Sequence, residues 1–193
     1  MSMMNRTSGA SIVPAGEWSV DTPRSSVAFA VKHMMVAKVT GRFHEFDGTL
    51  EIGSGAPRAT GVVKAASINT NEPVRDEHLR RSRDFFDAER FPEITFASTR
   101  IDSLDGRRLR VLGDLMMRGV TREIELDAQL NGTRREADGA ERIELGLRGE
   151  LNRSDFGLTW NQALDTGGAL LGNKVKIALE ISAVKSDVAR STA

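Results

Sequence analysis

Apolar and polar residues alternate with a period of two through most of this chain. In "VAFAVKH", Val27, Phe29, Val31 and His33 share one face, opposite Ala28, Ala30 and Lys32. In "REIELDAQL", Ile124, Leu126, Ala128 and Leu130 alternate with Glu123, Glu125, Asp127 and Gln129. "RIELGLRGEL" collects Ile143, Leu145, Leu147 and Leu151 on one side, and "VKIALEI" does the same with Val175, Ile177, Leu179 and Ile181. Successive side chains of a strand point to opposite faces, so the pattern describes antiparallel strands with one buried and one wet face. It predicts strands over 16–21, 25–35, 38–52, 58–69, 93–102, 107–117, 120–131, 141–152 and 173–184.

The connectors are short and turn-like, such as "TPRS", "MVAK", "GSGAP", "DGRR" and "NGTRREADG", which favours hairpins between neighbours. Eight or nine such strands form a sandwich or close into a barrel. Closure removes the exposed edges, and at about eight strands it leaves room for side chains or one small ligand.

Two segments break the alternation. Between Thr70 and Pro92 the pattern predicts a helix near 73–86, with Asn71 as N-cap, Pro73 in the first turn, and i,i+4 pairs Asp76–Arg80 and Glu77–Arg81. The stretch "VRDEHLRRSRDFFDAERFPEITF" opens with seven charges in eleven residues and ends with four of the eight Phe residues of the chain. The second break, "NRSDFGLTWNQALDTGGALLG" (152–172), sets Phe156 and Trp160 among Gly, Asn and Asp. A loop of that length in a compact domain is a functional segment or a plug.

Composition narrows the functional classes. The 193 residues suit one domain with a substantial core. Twenty-seven basic and 27 acidic residues cancel, so no global field draws the protein to nucleic acid or an anionic surface. With no cysteine, there is no disulfide, thiolate chemistry or cysteine-ligated metal. The three histidines His33, His44 and His78 have no ligand spacing, which argues against a metal, and no nucleophile elbow or phosphate cradle is present. The first residues lack the apolar run of a signal peptide, so the chain reads as cytoplasmic. Residues 1–16 and 185–193 read as flexible tails around a domain over 17–184.

The aromatic residues remain. Phe29, Phe43, Phe46, Phe85, Phe86, Phe91, Phe96, Phe156 and Trp160 fall on strands, on the helix and in the long loop. They form either a filled core or the wall of an apolar pocket with the charged helix as its cover; periodicity does not choose between the two.

The segments "WSVDTPRSSVAFAVKHMMVAKVTGRFHEFDGTL", "ASINTNEPVRDEHLRRSRDFFDAERFPEITFAST", "VLGDLMMRGVTREIEL" and "NRSDFGLTWN" resemble the YceI family of lipid-binding proteins, in order, from Trp18 to about Ile181. The match is carried by Asp76, His78, Leu79, Phe85, Phe86, Phe91 and Phe96, and by Arg153, Phe156, Gly157 and Trp160. The "MMR" of the third segment departs from a Thr-rich version. The absent signal peptide departs from the many exported relatives. The resemblance implies an all-β, lipocalin-like antiparallel eight-stranded barrel, with one helix between strands and the long aromatic loop. It also implies non-enzymatic binding, transport or storage of a polyisoprenoid, such as an isoprenoid quinone or polyprenyl phosphate, in the lumen.

On this reading the ligand-contacting residues are Phe29, Val31, His33, Phe43, Phe46, Asp76, His78, Leu79, Phe85, Phe86, Phe96, Leu126, Leu145, Arg153, Phe156, Trp160 and Ile177. No cofactor is expected beyond a bound isoprenoid or other long-chain lipid. The partners are that apolar lipid, a membrane met transiently and a second copy in a homodimer, but not nucleic acid. A polar head group belongs at the mouth, near Arg75, Asp76, His78 or Arg153, with Arg153 either contacting it or pairing with Asp155 or Asp76. Two alternatives stay open: a carrier of fatty acids or their amides, and an enzyme acting on an isoprenoid lipid through His33, Asp76 or His78.

Overall fold

A computed structural model describes residues 13–165 and 167–186. The elements run β1 (Gly16–Val20), β2 (Ser26–His33), β3 (Ala37–Phe43), β4 (Phe46–Ile52), β5 (Arg58–Lys64), β6 (Ile68–Asn69), α1 (Pro73–Arg81), β7 (Glu93–Asp105), β8 (Arg108–Met117), β9 (Val120–Arg135), β10 (Glu141–Asn152) and β11 (Leu171–Lys185). Every ladder is antiparallel, and pairing of β1 with both β4 and β11 closes the sheet on itself.

Eleven strands reduce to eight staves. β1 and β2 follow one another along the same edge of β11: Val20 lies opposite Ala183, and Val27 opposite Leu179. β3 and β4 likewise run in succession along β2 and β1. β5 and the two-residue β6 run along β4 and β3. The sequence predicted 38–52 and 58–69 as single strands. The structure interrupts them at His44–Glu45 and Ala65–Ser67. Each interruption changes which parity faces inward. At His44–Glu45, Phe43 lines the interior before and Phe46 and Leu50 after; at Ala65–Ser67, Val63 before and Ile68 after. The gap between β1 and β2 does the same, with Trp18 and Val20 inward before it and Val27, Phe29 and Val31 after it.

Three layers of packing fill the barrel unevenly. One end is sealed by Val13, Trp18, Leu130, Ile143 and Ala183. The Trp18 indole N–H donates to the Pro14 carbonyl at 3.1 Å, and the Lys185 ammonium lies 5.7 Å from its ring centre. Val13, which the sequence assigned to the leading tail, is therefore part of this floor at 2% exposure. Residues 14–16 and 185–186 of the predicted tails are described as well, with Gly16 opening β1 and Lys185 ending β11, while 1–12 and 187–193 lie outside the described residues. Val111, Leu126 and Ala128 pack at mid-height. Phe85, Leu115, Met117, Phe156 and Leu158 cluster at the far end, against Leu79, Phe86 and Trp160.

At that far end the eight-stave pattern is incomplete, because the chain leaves β6 after two residues and returns only at β7. α1 and residues 82–92 bridge the gap. The helix is shorter than predicted, ending at Arg81. Its N-cap is Glu72 rather than Asn71; the Glu72 carboxylate accepts from the Val74 and Arg75 amides at 3.2 and 2.6 Å, which leaves Asn71 in a left-handed conformation at φ 61°. Glu77 pairs with Arg81 as expected, at 2.5 Å. Asp76 does not pair with Arg80, whose guanidinium donates to the Ile68 carbonyl at 2.8 Å instead.

On the outside of the floor end, Arg142 is buried at 7% exposure and joins three elements. It donates to Asp21 at 2.7 Å, Ser182 at 2.8 Å and Glu136 at 2.9 Å. Burial opposes its charge, but the Asp21 and Glu136 carboxylates outweigh that and hold its pKa above the ordinary value.

Candidate functional site

The inward faces enclose a cavity of about 520 Å³, within the 300–1,000 Å³ typical of ligand sites. Inward residues that line it, such as Leu145 and Ile177, keep part of their surface accessible, whereas Ile143 on the same face of β10 is wholly buried in the floor. That difference decides between filled core and pocket: below the mouth the barrel is hollow. From Ile143 to Leu151 the chain advances eight residues, about 26 Å along the strand at ~3.3 Å per residue.

The predicted wall residues divide by height. Phe96, Leu126, Leu145 and Ile177 line the middle, and Phe29, Val31, Phe43 and Phe46 line the side formed by the interrupted staves. Phe43 stands between Phe29 and Phe86, with ring centres 5.7 Å from each. Gly41 makes this possible: a Cβ there would fall 2.4 Å from the Phe29 ring. His33, His78, Leu79, Phe85, Phe86, Arg153 and Trp160 line the mouth. There the Phe85 ring meets His78 edge-on at 5.3 Å and Trp160 at 5.4 Å. The helix thus turns Glu77 and Arg81 to water and Leu79 to the cavity.

Two predicted contacts do not reach the cavity. Phe156, 1% exposed, points into the cluster behind the mouth, carried there by the short 3-10 turn Arg153–Phe156 that Gly157 ends at φ 75°. Asp76 is buried too, and its carboxylate accepts the Thr70 amide at 2.8 Å and hydroxyl at 2.5 Å. Arg75 completes this knot by donating to the Thr70 hydroxyl and carbonyl at 2.7 and 2.9 Å. Thr70 and Arg75 line the cavity, so the knot fixes α1 against the rim. No sequence signal marked Thr70 as a hub. Trp18, which closes the floor, was legible only as the first residue of the family resemblance.

Arg153 is 4% exposed and pairs with neither Asp155 nor Asp76. It donates to four backbone carbonyls: Gly172 at 2.9 Å, Leu158 at 2.5 Å, Trp160 at 2.9 Å and Leu171 at 3.3 Å. These span both limbs of the 152–172 loop. Burial pushes its guanidinium below the ordinary pKa. Four of its five N–H donors are occupied, and its charge meets no carboxylate among the described residues. Arg118, in the "MMR" turn, adds a second clasp to the loop, donating to the Gly157 and Arg83 carbonyls at 2.7 and 2.6 Å. Among the described residues, no group of three or more His, Asp or Glu is placed to hold a metal ion.

The same overall fold recurs in solved structures. Burkholderia cenocepacia BcnA superposes with a TM-score of 0.72 at 21% identity, covering 84% of this chain and 98% of that one. A Campylobacter jejuni YceI protein gives a TM-score of 0.68 at 27% identity, over 81% and 90%. A polyisoprenoid binding domain from Saccharophagus degradans gives 0.64 at 17%, over 88% and 98%. In sequence, a UPF0312 protein of Staphylococcus aureus strain MSSA476 is 37% identical over 163 residues, 82% of this chain and 92% of that protein. The family model of the YceI-like domain matches residues 18–183, from the tryptophan of the floor to the alanine packed against it. The chain belongs to the YceI-like family.

Proposed function

We propose that this protein binds a polyisoprenoid in its lumen and carries or stores it without altering it. The observation that carries the reading is the cavity of about 520 Å³ with aliphatic and aromatic walls. An isoprenoid tail offers almost no hydrogen bonds, so its recognition rests on buried apolar area at roughly 25 cal/mol per Å². The Saccharophagus degradans domain of the same fold, described as polyisoprenoid binding, supports this choice of lipid.

A polar head group cannot sit unpartnered among the wall residues. It belongs at the mouth, where Arg75, His78 and Arg153 line the cavity. The uncompensated charge of Arg153 favours an anionic head group such as a phosphate. Non-enzymatic binding is supported by the commitment of Asp76 to Thr70, which withholds the carboxylate that a His78 acid–base pair would use.

The test is mass spectrometry of an organic extract of freshly purified protein, with titration of stripped protein by a polyprenyl phosphate. A stoichiometric isoprenoid, recovered unchanged after long incubation, is expected. Recovery of fatty acid alone, or conversion of the lipid during incubation, would overturn the assignment.

A further inference from the structure

The turn between β2 and β3 has the wrong residues for its shape. Met34 and Met35 both adopt left-handed backbone, at φ 50° and 60°. Glycine and asparagine enter that region with least strain, and hairpin turns that need it favour Asn-Gly. Large side chains are tolerated there when something else requires them. Packing does not: Met34 is 50% exposed, Met35 62% and Val36 93%. The tip is therefore an apolar projection into solvent, held on backbone that strains against its own residues.

The tip sits beside the mouth. The Met34 amide donates to the Leu170 carbonyl at 2.7 Å, and both Leu170 and the adjacent His33 line the cavity. Met35 lies over Gly168 of the clasped loop, where a Cβ would fall 2.5 Å from its sulfur. Val74, 79% exposed in the first turn of α1, projects from the same end of the barrel.

Charge beneath the tip is equally unbalanced. Lys32 and Lys38 face each other directly across the β2–β3 ladder, an unfavourable like-charge pair. No acidic residue lies between Ser26 and Phe43. The ion-paired lysines among the described residues are Lys64, Lys174 and Lys185, so neither member of this pair is neutralised. Lys176, on the neighbouring strand, stands opposite Ala30 on one side and Glu150 on the other, so the unbalanced charge is confined to the Lys32–Lys38 pair. In a chain of zero formal net charge, such a patch is local and needs a local reason.

We propose that the Met34–Val36 tip inserts into an anionic lipid bilayer, with Lys32 and Lys38 meeting its head groups, and so seats the mouth on the membrane. Apolar side chains flanked on both strands by a lysine match the boundary between acyl chains and anionic head groups. The inference rests on the lumen reading for its purpose, since a cargo insoluble in water is exchanged with a lipid phase. Its own evidence is separate.

The experiment is cosedimentation with vesicles of phosphatidylcholine, with and without phosphatidylglycerol, alongside transfer of a fluorescent polyprenol from those vesicles. Wild type should bind the anionic vesicles, and added salt should weaken binding. Met35→Asn with Val36→Asp should lower affinity by at least about tenfold and slow transfer in step. Lys32→Gln and Lys38→Gln should each cost about fivefold, on anionic vesicles only. Because neither Met35 nor Val36 lines the cavity, uptake of the same polyprenol from detergent micelles should be unchanged in the tip variant.

Wild-type vesicle binding by the tip variant would overturn the proposal. So would a tip-dependent dimer in sedimentation without vesicle binding, which would assign the tip to a second copy. Should wild type take up no polyprenol from micelles, the lumen reading fails, while cosedimentation still judges the docking surface.

Discussion

Replacing Arg153 by Ala tests the mouth as a built structure. The side chain is almost fully buried and holds carbonyls at positions 158, 160, 171 and 172. Each bond from a charged donor contributes roughly 1.5–3 kcal/mol, and an orphaned buried carbonyl costs about 1–3 kcal/mol. Desolvation of the guanidinium already offsets part of that gain. Water entering from the adjacent cavity would re-solvate some of the freed carbonyls. The net loss should be about 2–4 kcal/mol. At 2–4 °C per kcal/mol for a domain of this size, the melting temperature should fall by roughly 5–15 °C. The emission of Trp160 should shift to longer wavelength as its ring leaves Phe85. Titration of the folded variant with polyprenyl phosphate and with the uncharged polyprenol then separates the roles of the arginine. The phosphate should lose about 1.5–3 kcal/mol more than the alcohol, roughly ten- to hundredfold in affinity. A fall below about 2 °C with unchanged Trp160 emission would refute the clasp. Equal losses for both lipids would remove Arg153 from head-group recognition.

Three further outcomes are expected. Phe43→Arg or Leu145→Arg should abolish lipid binding and destabilise the protein by roughly 2–5 kcal/mol through an unpaired buried charge; a folded variant that binds at wild-type strength would show that these residues do not line the site. Asp76→Ala should release Thr70 and Arg75, loosen α1 by about 1–3 kcal/mol and speed lipid dissociation in a stopped-flow chase, whereas an unchanged off-rate would separate the helix anchor from the mouth. The Arg142 hydrogen bond holds Glu136 below its ordinary 4.5. A carboxylate with a depressed folded pKa contributes stability above its unfolded pKa, and that stability is lost as pH falls through the folded value. Glu136→Gln should therefore melt below wild type at neutral pH, with the gap closing on acidification below pH 4.5; a gap constant across that range would exclude the linkage.

The strands were legible because alternation is a physical consequence of one wet and one dry face, and β8 to β11 follow it with few departures. The interruptions were legible in principle as well: Phe43 and Phe46 both face inward across an odd gap, which no continuous strand permits. Capping was misread because Asn71 is a preferred N-cap type and Glu72 is not, yet it is the Glu72 carboxylate that reaches the Val74 and Arg75 amides while Asp76 is turned to Thr70. Wall residues on strands followed from parity. Those in the loop did not, since no period governs it: Trp160 lines the cavity, while Phe156, four residues earlier, is buried behind it. Hollowness was beyond sequence altogether, because the same apolar face serves a packed barrel and an empty one.

The sealed floor gives the barrel a direction. With Trp18 and its neighbours stopping one end, a chain-like guest of the kind proposed would enter tail first and leave head first. The order of entry and exit would be set by architecture rather than by affinity. The head group of such a guest would then be the part presented outward, its polar end reached before its hydrocarbon. A guest longer than the tube cannot thread further and must fold back or trail from the entrance, so the position of one indole ring acts as a stop for length. Paring that ring down, as in Trp18→Ala, would turn a one-ended sheath into a sleeve, with no intrinsic order of entry or release.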